Sequence, residues 1–463
     1  MKDLKAFFSP KNVAIIGASK NPKKLGYAIL HNFVENGFTN VIPVNPKKEE
    51  IFGKKTYTTV LDIDKKVDLA VIVTPSETVP EVLEGCVKKK IKAAVIISGG
   101  FAEVGRKDLE DRVKEIVKKN GIRVIGPNCI GVMDKKTGVD TMFLPTYKLA
   151  RPPLGTISFI SQSGAVGSAI VDWCAKEMVG IAKFISYGNA ADVNELDLIE
   201  YLAKDKDTKV ITAYLESTHD GRRLMELGRK ITPKKPIIVL KAGRSKAGIK
   251  AVSSHTGSLA GSDEVYDAAF KQAGIIRAYN TEQLFDYARA HDMQPLPKGK
   301  KIAIVTNGGG FGVIATDTAE KLGLELSELS KETIDAVKKQ VPWYAVVKNP
   351  LDLVGDADAA RYKHALENIA KDPNVDGIVC VLLFQTAPLE SEVVDVIAQM
   401  MEYGKPIVVC SAGGDYTDVH RKMLERVGIP TFSTPERAVC AMNSLVKFSE
   451  HLRKKGIKKK ETA

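Results

Sequence analysis

The chain contains no run approaching the roughly twenty consecutive apolar residues that a bilayer-spanning helix requires. That absence argues against a membrane protein, and 27% charged with 44% apolar residues is the balance of a soluble globular one. The N-terminal MKDLKAFFSPKNVAIIG has no long apolar segment ahead of its first strand-like run, so no signal peptide is expected. The six cysteines (Cys86, Cys129, Cys174, Cys380, Cys410 and Cys440) are scattered without a CxxC pair, which fits reduced thiols and a cytoplasmic location. Two phosphate-binding signatures are also missing. No GxGxxG follows a strand, and no GxxxxGK[ST] occurs anywhere, since GRSKAGIKA has the wrong spacing. Nor is positive charge concentrated: the net +12 is spread along the whole length, and only the tail HLRKKGIKKKETA is densely basic. Without interleaved aromatics or a recognition motif, that tail reads as a solvated end, and no nucleic-acid partner is expected.

What is present is alternation. Over residues 13–127 the apolar runs VAIIG, VIPVN, LAVIVT, AAVIIS and RVIGP are separated by amphipathic helical patterns such as VPEVLEGCVKKK. This predicts a parallel, doubly wound sheet of Rossmann type. Its first turn is Gly17-Ala18-Ser19, followed by Lys24 and Gly26, and its second strand ends in Asn45-Pro46-Lys47. A carboxylate at that second place would hold an NAD ribose; a lysine favours a phosphorylated ribose, such as the 3′-phosphoadenosine of coenzyme A. An NAD-dependent dehydrogenase is therefore the weaker reading. Cys129 reads as a small buried residue without a redox role.

After a proline-punctuated linker, TMFLPTYKLARPPLG, a second α/β unit opens on the strand GTISFIS and the turn Gln162-Ser163-Gly164-Ala165. A Ser/Gly turn entering a helix is either a ready anion site or an ordinary N-cap at Ser163. The strand TKVITAYLE delivers Glu216 at its C-terminal end, where it could accept a ring N–H from a histidine, although taken alone it reads as a surface acid. QPLPKGKK marks a second linker. The third unit then repeats the second: IAIVTNGGGFGVIATDTAEKLG aligns with ISFISQSGAVGSAIVDWCAKEM, setting Gly309 against Gly164 and Gly312 against Gly167. It has no counterpart of Glu216, and His420, on a predicted helix, reads as structural. The expected domains are residues 1–145, 146–293 and 294–463.

The remaining stretch, KAGRSKAGIKAVSSHTGSLAGSDEVYDAAF (241–270), carries His255 among small and hydroxylated residues. Gly248 to Asp263 is poor in large apolar side chains and predicts a flexible loop ahead of a helix capped by Ser262. No second His, Cys or carboxylate stands at metal-ligand spacing, so no metal site is expected there. An imidazole in a loop that admits anions suits a nucleophile accepting a phosphoryl group.

GRSKAGIKAVSSHTGSLAGSDEVYDAAFKQAGIIRA closely resembles the phosphohistidine segment of the nucleoside-diphosphate-forming acyl-CoA synthetases, within the succinyl-CoA synthetase superfamily. GAS at the first turn, VNPK, VTPSETV, ISGGF and GPNCIGV resemble the same family's CoA-binding domain, so the likeness runs over essentially the whole chain. It implies a Rossmann-like CoA-binding domain followed by two flavodoxin-like domains. It also implies an α subunit catalysing acyl-CoA + ADP + phosphate = carboxylate + ATP + CoA, as an ADP-forming acetyl-CoA synthetase does. In that family His255 would carry the phosphoryl group, Glu216 would be its partner, and Ser163, Gly164 and Ala165 would cradle the phosphate together with a helix end of the partner subunit. Gly17, Ala18, Ser19, Lys24 and Lys47 would contact CoA phosphates or ribose. Thr74, Pro75, Ser98 and Gly99 would line the adenine and pantetheine path, and Asn128 would stand at the cofactor's reactive end. ADP or ATP with Mg²⁺ would sit mainly on a separate ATP-grasp β subunit, in an α2β2 assembly. A CoA-binding scaffold of this architecture without turnover is the alternative.

Overall fold

A computed structural model describes residues 3–47, 50–256 and 262–457, with the backbone alone at 253–256. The first sheet comprises β1 (Val13–Ile16), β2 (Val41–Val44), β3 (Leu69–Ile72), β4 (Ala93–Ile96) and β5 (Arg123–Ile125), all parallel, in the order β2-β1-β3-β4-β5. Every residue of β1, β3 and β4 is buried, because helices cover both faces. This is why these strands read as unbroken apolar runs rather than alternating ones.

The second sheet contains β6 (Val132–Asp134), β7 (Val139–Asp140), β8 (Leu154–Ser161), β9 (Ile181–Ser186), β10 (Val210–Leu215), β11 (Ile237–Lys241) and β12 (Ile276–Ala278). Its order is β12-β11-β10-β8-β9-β6-β7, with the β6–β7 hairpin added antiparallel at the β9 edge. Counted from β8, the main strands repeat the order of the first sheet. The third sheet does so again: β13 (Lys301–Thr306), β14 (Glu325–Leu326), β16 (Gly377–Val381), β17 (Ile407–Cys410) and β18 (Thr431–Phe432) run β14-β13-β16-β17-β18, and β15 (Leu351–Asp352) also pairs with β13. In each sheet the strand order reverses between the first and third main strands. Ligands of such sheets bind beyond the carboxyl ends of the strands at that point. No described helix is long and apolar enough to cross a membrane.

The chain divides into two compact units, Met1–Arg277 and Ala278–Ala463. The first two sheets thus share one unit, and a common core runs from Val13 and Val95 to Ile160 and Ile185. A main-chain seam joins them: the Asn189, Ala191 and Val193 amides donate to the carbonyls of Pro127, Gly126 and Val124 at 2.9–3.0 Å. Gly188 (φ +55°) permits it, since a Cβ there would lie 2.2 Å from the Pro127 oxygen. Arg123 closes the seam with a 2.7 Å ion pair to Asp192. The proline-punctuated linker is likewise held down: Asn32 Nδ2 donates to the Met142 and Leu144 carbonyls at 2.8 and 3.1 Å. Nearby, Arg151 pairs with fully buried Asp140 at 2.7 Å.

One expectation is corrected. Much of the predicted loop is a helix, Lys246–Thr256. Ser245 starts it, its Oγ accepting from the Gly248 amide at 3.0 Å and its carbonyl from the Ile249 amide at 2.8 Å. Ala247, Lys250 and Ala251 favour a helix, and Val252 buries itself against Gly243. Small, polar composition suggested a loop, but a good cap with one buried anchor is enough for three turns. His255 lies one residue before the end of this helix. Its side chain, and residues 257–261, lie outside the described residues. As expected, Ser262 caps the next helix, Asp263–Ala273, accepting from the Val265 amide at 3.4 Å. The last six residues of the basic tail also lie outside the described residues.

Candidate functional site

Two clefts open along the carboxyl ends of strands in the first unit. The first, of about 470 Å³, sits at the β1/β3 switch point and is lined by Gly17, Ser19, Lys24, Lys47, Thr74 and Pro75. Ala18 lies beneath it, fully buried, its carbonyl accepting from Asn45 Nδ2 at 2.6 Å. The turn is tight enough to require glycine. A Cβ at Gly17 (φ +99°) would lie 2.6 Å from the Val73 carbonyl oxygen, and one at Gly26 would lie 2.0 Å from the Gly17 oxygen. Lys24 and Lys47 are exposed at the rim. This is a backbone-lined cradle with two cations beside it, suited to phosphates on an adenosine.

The second cleft, of about 660 Å³, lies where the first two sheets meet. Ser98, Gly99 and Asn128 line it from the first sheet, and Ser163, Gly164, Ala165 and Glu216 from the second. These residues span 119 positions of sequence and meet because both sheets turn their carboxyl edges toward it. Ser98 Oγ donates to the Thr74 carbonyl at 2.5 Å, linking the two clefts. Asn128 is held at φ +57°, its amide donating to the Ser98 carbonyl at 2.9 Å. Behind it, Cys129 is buried, which pushes its thiol up to about 12 and leaves it an inert filler, as expected.

Ser163 does cap the helix Gly164–Lys176: its Oγ accepts from the Val166 amide at 3.3 Å. The cap and anion readings are compatible, because the amides of Gly164 and Ala165 in the first turn have no partner within the helix. Those amides and the helix dipole face a cleft wall that also carries Glu216, which is 6% exposed just past the end of β10.

Sequence reasoning left several contributors unassigned. Gln162 Oε1 accepts from the amides of Glu216 and Ser217 at 2.9 and 3.2 Å, locking the end of β10 to the end of β8. Asn189 Nδ2 donates to Glu103 and Glu110 at 2.7 and 2.9 Å, while its Oδ1 accepts from Asn128 Nδ2 at 3.3 Å, orienting that side chain. His219, three residues past Glu216, lines the same cleft. The signal for Gln162 and His219 was their place at strand carboxyl ends. Nothing local marked Asn189, whose role depends on the seam.

Comparison with known proteins agrees with this architecture. Residues 11–135 match a CoA binding domain, residues 154–291 a succinyl-CoA ligase like flavodoxin domain, and residues 302–457 a ligase-CoA domain. The class is thus that of the succinyl-CoA ligase-like, CoA-binding chains. Acetate–CoA ligase [ADP-forming] I subunit alpha of Pyrococcus furiosus is 44% identical over 96% of this chain and 98% of its own length. The ADP-forming acetate–CoA ligase of Methanocaldococcus jannaschii is 46% identical over 96% of this chain, which spans 63% of that longer protein. Among solved structures, acetyl-coenzyme A synthetase 1 of Ca. Korarchaeum cryptofilum, in complex with phosphate and ADP, superposes with a TM-score of 0.92 at 37% identity, covering 99% of this chain and all of that one. The chain belongs to the family of ADP-forming acetate–CoA ligase α subunits.

Proposed function

We propose that this chain is the catalytic α subunit of an ADP-forming acyl-CoA synthetase, interconverting acyl-CoA, ADP and phosphate with carboxylate, ATP and CoA. The observation that carries the reading is the second cleft, where Ser98, Gly99 and Asn128 of the CoA-binding sheet meet Ser163, Gly164, Ala165 and Glu216 of the next. CoA enters along the first cleft, its phosphates at Gly17, Ala18 and Ser19 and its charges met by Lys24 and Lys47. Its pantetheine passes Thr74, Pro75, Ser98 and Gly99, bringing the thioester to Asn128. Inorganic phosphate attacks the thioester carbonyl; the C–S bond breaks, and acyl phosphate and CoA thiol form. His255 then attacks the phosphorus, the carboxylate leaves, and Glu216 stabilises the imidazolium. The first-turn amides at Gly164 and Ala165 stabilise the phosphoryl oxygens.

His255 stands one residue before the end of its helix, and its phosphohistidine must reach ADP for ATP to form. The ADP and its Mg²⁺ belong to an ATP-grasp β subunit, in an α2β2 assembly located in the cytoplasm. The third domain serves as a non-catalytic scaffold for that assembly. The test is peptide mass spectrometry at neutral pH after incubation with acetyl-CoA and phosphate, or with acetyl phosphate, beside a His255→Ala control. Phosphate on the 251–270 peptide, absent from the control and discharged by ADP only with the β subunit present, is expected. No label with either donor, even with the partner present, would leave the CoA-binding scaffold as the better reading.

A further inference from the structure

The second cleft poses a charge problem. Its described lining includes the carboxylates of Glu103, Glu110 and Glu216, and among those residues His219 is the one side chain able to carry positive charge. The ligands assigned to it are anions near neutral pH, inorganic phosphate as a mixture of mono- and dianion and the acyl phosphate as a dianion. A helix N-terminus supplies only about half a positive charge. Resting on the function proposed above, we propose that His219, as an imidazolium, binds the phosphoryl group of inorganic phosphate and of the acyl phosphate in this cleft.

The ring is built into place. Glu195, fully buried at the start of the helix Glu195–Lys204, accepts from the His219 amide at 2.9 Å and from Thr218 Oγ1 at 2.8 Å through Oε1. Its Oε2 accepts from His219 Nδ1 at 3.0 Å. A carboxylate only accepts, so the proton stays on Nδ1 and Nε2 is the remaining polar edge of a half-exposed ring. The Thr218 amide donates to Tyr266 Oη at 3.1 Å, which fixes the same loop from the other side.

Several charges surround the ring. Glu195 and Asp197 come from one helix, Lys114 and Glu110 from the helix Lys107–Asn120, Glu103 from the turn Ala102–Val104, and Glu216 from its own strand end. The bond to Glu195 raises the imidazole above its ordinary value, against partial burial and Lys114. Burial works to raise the Glu195 carboxyl, but the bonds from His219 and Thr218 overcome it and hold that carboxyl below the usual range. The charged form of the pair is therefore the one the fold favours.

The test uses the assembled α–β enzyme forming ATP from acetyl-CoA, ADP and inorganic phosphate. His219→Gln is expected to raise KM for phosphate at least about tenfold, as loss of a charged hydrogen bond does, with KM for acetyl-CoA and ADP within about twofold. His219→Lys restores most of the phosphate affinity. In the wild type, KM for phosphate rises with pH above the ordinary imidazole range, as the raised His219 ring loses its proton while phosphate itself only gains negative charge. This rise is lost in His219→Lys. An unchanged KM for phosphate in His219→Gln, or a fall in kcat alone, overturns the assignment. Should that variant not fold, a flat wild-type KM profile across this pH range overturns it equally. Wild-type labelling of the 251–270 peptide by acetyl phosphate separates the two readings. Its absence removes the proposed function, whereas its presence with a phosphate KM indifferent to His219 removes only this inference.

Discussion

At the switch point of the second sheet Gln162 Oε1 accepts the Glu216 amide at 2.9 Å; at that of the third, Asn307 Oδ1 accepts the Leu383 amide, also at 2.9 Å. The same bond ties the first main strand to the third in both units, one methylene shorter in the second case. Beyond it the two corners part. The second sheet continues as Glu216-Ser217-Thr218-His219, a polar loop around a cleft. The third continues as Leu383-Phe384-Gln385, and Phe384, 3% exposed, stacks on His420 with ring centroids 4.2 Å apart. His420 is structural, as its helix placement suggested: buried, with Nδ1 donating to the Tyr416 carbonyl at 2.8 Å. The order of strands says where a site can be; the few residues past the strand ends decide whether one exists.

The comparison can be broken most sharply through the carboxylate. Glu216→Gln should lower ATP formation by about 10³-fold, the scale of losing one preorganised electrostatic partner, with little change in the thermal midpoint. His420→Ala, at the matching corner of the third sheet, should leave turnover within a few-fold. Comparable losses in both would end the idea that only one copy is catalytic. Next in size, Phe384→Ala should cost about 3–5 kcal/mol of stability, read from urea unfolding, because it empties the stack on which the third corner rests. Gln162→Ala and Asn307→Ala should each cost about 1–3 kcal/mol by leaving amides without their acceptor. Of the two, Gln162→Ala alone should reduce kcat when both are assayed well below their unfolding midpoints. The smallest effect is at the rim of the first cleft. Lys47→Ala should weaken CoA binding by about 1 kcal/mol, roughly fivefold, as an exposed charge contact does, and leave dephospho-CoA unaffected. Equal weakening toward both, measured by calorimetry, would move Lys47 away from the 3′-phosphate.

Much of this was legible in the residues themselves. The runs VAIIG, LAVIVT and AAVIIS are buried on both faces, so only a doubly covered parallel sheet can hold them, and the turn at Gly17 announced the first cleft. The internal repeat foretold that the second and third sheets would share a strand order. The stretch Gly248 to Thr256 reads as a loop because glycine and serine content obscures a capped helix anchored by Val252.

Local pattern thus determined the elements, their order and the positions at strand ends where chemistry is possible, since burial and backbone geometry act within a few residues. Tertiary structure decided which of those ends face one another. Asn189, Glu103 and Glu110 combine to orient Asn128 only because Gly188 lets one backbone lie against another. His219 gains its proton-holding partner from Glu195, 24 residues earlier in the chain, for the same reason: hydrogen bonds and Coulomb forces depend on distance in space, and the fold alone sets it.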